Sequence, residues 1–238
     1  MNKGWPRGGA ACAGPAVQEN STMPAIRYSV ITPSRGDRPA ALAHAIDSVF
    51  AAADNAALPH EQIEVLVGFD GVKGRRVHTS SSIRYYDFPA DNDYGNAIRN
   101  GLLKASKGTK VLFLDDDNAL TEQAFAVYEC FTHIEMLVAR IDISRAHPKP
   151  WIPVIEQGKE PFFQGNVDPL CLCLSRELVT VRCGGWLGTG YEADYLNMFR
   201  YFRRTKSIHY TEKLVGIYDA GRGLDDGALN FRQQALLS

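Results

Sequence analysis

The sequence predicts an α/β fold with a mostly parallel central sheet and helices on both faces. Three observations carry this. Short apolar, β-rich runs alternate with segments of helical period along the first 143 residues. Gly, Pro, Asn and Asp punctuate the boundaries. Three of the runs end in polar or acidic residues, at Pro33-Ser34-Arg35, Asp70-Gly71 and Asp115-Asp116-Asp117. In open α/β sheets ligands bind beyond the carboxyl ends of the strands, so those three ends are where a site is expected.

Residues 28–32 (Y-S-V-I-T) form the first strand, ended by Pro33. Residues 38–53 carry Leu42, Ile46, Val49 and Phe50 at helical spacing, with Pro39 in the first turn, where its missing N–H is harmless. Pro59 marks the loop before a second strand at 64–69, and 84–88 is a short third strand. Ile98, Leu102 and Ala105 line one face of a helix over 96–106, followed by Gly108 as a stop signal. The apolar run 111–114 is a buried strand, 121–131 a helix with Thr121 as its N-cap, and 136–143 another strand.

The second half is less regular. Residues 147–169 hold four prolines before Pro169, and a long connection of this kind is usually functional. A strand at 170–174, a short helix at 176–181 and a Gly-Gly-Trp turn at 184–186 follow. The helix at 193–204 has Tyr195, Met198, Phe199 and Phe202 on its apolar face, and 207–210 with 214–218 form a closing pair of strands. Residues 1–25 show no hydrophobic period and no signal-like apolar stretch, and read as a disordered tail with Met23 as an alternative start. Residues 26–220 then form the domain, and 221–238 a Gly-rich loop and short helix.

The 238 residues carry a formal net charge of −1, which excludes a broad electrostatic footprint for nucleic acid. No run of about 18 apolar residues exists, so no membrane span is expected. The five cysteines are too few and odd in number for a disulfide framework, which points to a reduced, cytoplasmic setting. Cys171 and Cys173 read as buried thiols, since no second Cys or His pair stands at zinc-ligand spacing.

Three consecutive aspartates after a buried strand repel one another, and a divalent cation resolves the conflict because hard Mg²⁺ or Mn²⁺ prefers oxygen ligands. If strand geometry continues one residue further, Asp115 and Asp117 face the same way. The competing reading is a solvated acidic loop or a helix cap.

T-P-S-R at 32–35, F-D-G at 69–71, R-N-G-L at 99–102 and F-L-D-D-D-N at 113–118 stand in the order and spacing of the family 2 glycosyltransferases, which the sequence resembles over residues 28–218. The resemblance implies a Rossmann-like GT-A fold and an inverting transfer from a nucleotide-diphosphate sugar, UDP- or GDP-linked, to a hydroxyl acceptor that is a saccharide, a lipid-linked or a small molecule. It implies Mn²⁺ or Mg²⁺ as cofactor, with Asp117 as the direct metal ligand and Asp115 or Asp116 meeting ribose or a metal-bound water. Pro33, Ser34 and Arg35 match the loop around the nucleotide, Asp70 the base-recognition carboxylate, and Arg99 an arginine near the diphosphate. Asp194, six residues before Arg200, matches the catalytic base, with Glu192 in reserve because Ala193 fills the family's Glu slot. Trp186, after two glycines, either stacks on a sugar face or belongs to the core, and Asn166 and Asp168 are expected to face donor or acceptor. Arg35, Arg38 and Arg99 are expected to share a cleft edge with the acids. A peripheral place at the inner membrane face is compatible with this reading. Its rivals are a degenerate, non-catalytic nucleotide- or partner-binding domain and a sugar nucleotidyltransferase. The latter needs a Gly-rich first loop, and T-P-S-R-G-D-R-P offers only Gly36.

Overall fold

The computed structural model describes residues 25–225 except residue 157, so the expected tail and last helix lie outside the described residues. Strand β1 (Tyr28–Ser34) leads through helix α1 (Pro39–Asn55) to β2 (Ile63–Asp70), and β3 (Ile83–Phe88) leads through α2 (Asn96–Ala105) to β4 (Lys110–Phe113). Then come β5 (Ala119–Leu120), α3 (Ala124–Cys130), β6 (Met136–Asp142), β7 (Trp151–Ile152), β8 (Leu172–Ser175), α4 (Ala193–Arg204) and β9 (Ile208–Ile217).

The strands form one sheet in the order β3-β2-β1-β4-β8-β6-β9-β5, with β7 on β6. β3, β2, β1 and β4 are parallel, as are β6 and β9; β8, β7 and β5 run against them. The crossover from β1 moves toward β2, whereas the crossover from β3 returns past β1 to β4. Right-handed connections of opposite direction put α1 and α2 on opposite faces, and the gap between the carboxyl ends of β1 and β4 becomes the switch point where such sheets bind ligands.

The core explains the pattern. β1, β2 and β4 are buried along nearly their whole length, as parallel strands covered on both faces must be. α2 lies unusually close to the sheet. A Cβ on Gly68 of β2 would come within 2.4 Å of the Ile98 side chain and 2.9 Å of Phe88, and one on Gly101 within 2.5 Å of Phe88. No described helix is long and apolar enough to cross a membrane.

Five expectations are corrected. The closing pair of strands is one strand, β9, whose pairing with β6 shifts register between Ala139 and Ile141; the polar residues 211–213 that look like a turn sit at this irregularity. Thr121 does not cap α3: its hydroxyl donates to the Leu214 carbonyl at 2.8 Å, and the helix begins at Ala124. Residues 170–174 divide into a 3₁₀ turn (Pro169–Cys171) and β8, and the short helix at 176–181 is a π-helix (Glu177–Arg182). α4 buries Ala193, Asn197, Met198 and Tyr201, whereas Phe199 is 37% exposed. The face is rotated because the Asn197 amide serves the backbone, donating to the Leu187 and Ala193 carbonyls at 2.7 and 2.6 Å and accepting from Leu187 N–H at 2.8 Å.

Glu135, just before β6, fastens three segments. It accepts two bonds from Arg182 at 2.8 and 2.9 Å and one from Lys206 N–H at 2.6 Å. The Arg182 bonds hold its carboxyl down to about 2. A depressed carboxylate stabilises the fold fully above its ordinary pKa and loses that contribution as pH falls through the folded value. The stability gap between the wild type and Glu135→Gln, measured by urea unfolding, is therefore expected to be constant above about pH 5 and to close between pH 4.5 and 2.

Candidate functional site

β4 ends at Phe113, and the chain then turns, with Asn118 N–H donating to the Asp115 carbonyl at 3.0 Å. Strand alternation is thereby lost. Asp116 and Asp117, not Asp115 and Asp117, share a partner: Arg38 donates from Nη1 to Asp117 at 2.6 Å and from Nη2 to Asp116. Ser34 Oγ donates to the other Asp116 oxygen at 2.6 Å. Asp116 is 1% exposed and Arg38 8%. Burial pushes the Asp116 carboxyl up, with Arg38 and the Ser34 hydroxyl pulling the other way. Burial opposes the Arg38 charge, yet the Asp116 and Asp117 carboxylates raise its pKa.

Asp115 turns to the opposite wall, where Arg99 of α2 meets it at 2.5 Å. Three carboxylates thus face two guanidinium groups at the ends of β1 and β4. The Nε–H groups of both Arg38 and Arg99 are buried without a hydrogen-bond partner.

Arg99 is itself supported. Its Nη1 donates to the Tyr94 carbonyl at 2.7 Å, and its guanidinium lies 5.0 Å from the Trp186 ring centre. Trp186 is 2% exposed, packs edge-on against Phe113 at 4.9 Å and donates its indole N–H to Asn96 at 2.9 Å. It therefore offers no open face to a sugar; it holds Arg99 from behind. The loop before α2 passes through left-handed backbone at Asn92, Tyr94 and Gly95. The Asp70 carboxylate fastens this loop, accepting from Asp91 N–H at 2.6 Å and Asn92 N–H at 3.0 Å.

Arg35 departs from the expected cleft edge. Its exposed side chain pairs with Asp37 at 2.6 Å, while Gly36, at φ +78°, swings the chain so that Arg38 reaches the acids. Pro33 stays buried in β1, next to Gly95. Sequence reasoning gave no role to the segment after β9, although its Gly-rich, acidic make-up is a signal. Asp219 N–H donates to Asn118 at 2.8 Å, Gly221 N–H donates to the Asp117 carbonyl at 2.9 Å, and Asp225 accepts from Ala40 and Ala41 N–H at 3.0 and 2.8 Å, capping α1.

In the second half a cavity of about 420 Å³ opens between the loops after β6 and β7 and the start of α4. Glu192, Asp194 and Asp168 line it. Asp194 accepts from Tyr195 N–H at 2.7 Å, and Glu192 from Gln164 at 3.1 Å. Asn166 does not reach it: it is 1% exposed and its amide bridges Val154 and Pro161. Gly190 adds a link between the α2 side and the loop before α4: its N–H donates to Asp93 at 2.7 Å and its carbonyl accepts from Asn96 at 3.1 Å. Cys171 and Cys173 are free and buried, with burial pushing the Cys173 thiol up to about 12.

Among the described residues no group of three or more His, Cys, Asp or Glu side chains is arranged to hold a metal alone. Mg²⁺ and Mn²⁺ sites of the phosphate-bridging kind need only one or two carboxylates, with phosphate and water oxygens completing the shell. Asp115 and Asp117 fit that donor set in kind.

Arg38→Ala leaves a buried carboxylate without its charge partner. It is expected to lower stability by about 3–5 kcal/mol in urea unfolding, whereas Arg35→Ala stays within about 0.5 kcal/mol.

The fold is similar to that of S. aureus TarS. The TarS 1–349 crystal structure aligns with a TM-score of 0.67 at 17% identity, covering 81% of this chain and 60% of that one. Its complex with UDP gives 0.66 at 16% identity over 80% and 60%. Its complex with UDP-GlcNAc gives 0.63 at 16% over 80% and 58%. The chain thus spans about 60% of the TarS 1–349 structure. At this identity the likeness establishes the fold, and the expected GT-A architecture holds. No family model and no curated protein sequence matches the chain.

Proposed function

We propose that the protein is an inverting glycosyltransferase that takes a sugar from a nucleotide diphosphate, UDP in preference to GDP, and places it on a hydroxyl acceptor with Mn²⁺ or Mg²⁺ as cofactor. One observation carries the reading. The carboxylate–guanidinium cluster of Asp115, Asp116, Asp117, Arg38 and Arg99 stands at the switch point of the sheet, in a fold shared with a protein crystallised with UDP and UDP-GlcNAc. The preference for UDP rests on those two complexes.

In this reading the donor lies across the ends of β1 and β4. The Arg38 and Arg99 guanidinium groups bring positive charge to the strand ends, which suits the anionic oxygens of a diphosphate. A cation held by Asp117, with Asp115 meeting a metal-bound water, would offset the charge that develops on the leaving diphosphate. Asp70, through residues 91 and 92, sets the loop that borders the nucleotide. Asp194 takes the proton of the acceptor hydroxyl. The new bond forms from that oxygen to the anomeric carbon as the bond to the diphosphate oxygen breaks, and the electron pair leaves with the diphosphate. Asp194 lies in the first turn of α4 and lines the cavity. Glu192, held by Gln164, also lines the cavity and is the reserve candidate for the base.

UDP with Mn²⁺ at about 100 times its Kd is expected to add about 2.7 kcal/mol of stability, read as a rise in melting temperature. The absence of a shift with any nucleotide overturns the reading. Asp194→Asn is expected to keep that shift and lower kcat by about 10²–10⁴, measured as nucleotide release with acceptor present. A variant with undiminished kcat removes Asp194 from the role of base.

A further inference from the structure

We propose that the cavity beside α4 binds a sugar that is uncharged or bears an amine, and excludes sugars carrying phosphate. The inference rests on the glycosyltransferase reading in taking this sugar to be the acceptor. Its physical basis is the lining itself.

The volume, about 420 Å³, is that of a small-ligand pocket. Its floor is apolar, from buried Ile152 and Val167 and from Met198 of α4. Tyr195 and Tyr191, the latter 50% exposed, add aromatic surface. Apolar and aromatic walls accept the C–H faces of a sugar ring, while carboxylates accept its hydroxyl protons. Such carboxylates come from two separate segments: Asp168 precedes the 3₁₀ turn at Pro169–Cys171, and Glu192 and Asp194 flank the start of α4.

Charge then selects among sugars. Three carboxylates line the cavity against one ammonium, Lys149, with His147 beside it. A phosphate brings a charge of about −1.5 to −2 against walls that carry more carboxylates than cations, and like charges repel. An ammonium on the ring is attracted for the same reason. Arg38 and Arg99, which suit a diphosphate, are bonded to the acids at the end of β4 and do not line this cavity. The two kinds of ligand are thus sorted by wall charge.

Saturation-transfer NMR titrations at low salt with methyl glucoside, glucosamine and glucose 6-phosphate, each up to about 50 mM, test the proposal. Glucosamine is expected to bind at least as well as methyl glucoside, and glucose 6-phosphate at least about tenfold more weakly. The double variant Asp168→Asn/Glu192→Gln, in which the amide oxygens can still accept from Leu170 N–H and Gln164, should narrow that gap to about threefold or less. Met198→Trp should fill the floor and abolish binding of all three probes. Equal or tighter binding of the phosphate, no binding of any probe, or binding untouched by Met198→Trp overturns the assignment. The UDP melting shift is a separate readout. Sugars that bind in the expected order without a UDP shift leave the cavity assignment standing and defeat the transferase reading. A UDP shift without sugar binding does the reverse.

Discussion

The fork of Arg38 across Asp116 and Asp117 is the contact on which the ligand end of the sheet depends. Three adjacent carboxylates at the mouth of a buried strand would repel one another and loosen the turn that follows β4. One guanidinium, itself almost fully buried, converts that repulsion into a fixed geometry. Ser34 from β1, the start of α1 and the segment after β9 all converge on the same few atoms. Buried ion pairs contribute modestly to net stability because desolvation offsets the attraction. Their effect here is to set register: the first turn of α1 cannot shift without leaving a carboxylate unpaired inside the protein.

A second arm runs through Arg99. It joins Asp115 to Trp186, and through Asn96 and Gly190 it ties the α2 wall to the loop that leads into α4. The acids at the end of β4 and the acids of the cavity are therefore not independent. They are connected by hydrogen bonds that pass over a single loop, rich in glycine and held at both faces of Gly190. This loop fixes the two groups of acids relative to each other.

Much of the architecture was legible because hydrophobic period is strong where burial is complete. β1, β2, β4, α1, α2 and α4 stand within two or three residues of their expected bounds. β5 and β7, of two residues each, are too short to carry any period, and the irregular middle of β9 imitates a turn. At the site, the acids were legible from their own repulsion, while the choice between Arg35 and Arg38 was not. They lie one and four residues beyond the same strand end, and only the left-handed turn at Gly36 decides which one faces inward. Whether Trp186 is a ligand platform or core was not legible, because a lone tryptophan after two glycines carries no sign of what stands behind it; its indole N–H is already spent on Asn96. Asp70 likewise serves backbone amides that no sequence pattern announces.

The two glycines beneath α2 extend this last point. Gly68 and Gly101 let the helix settle against β2 and Phe88 with no room for a methyl group. They act as a spacer of zero thickness, and the height of α2 above the sheet sets how far Arg99 must extend to reach Asp115. The site can thus be retuned from its foundations. A single added carbon on the underside of the helix would lift an arginine away from its carboxylate while every residue that faces the ligand kept its identity.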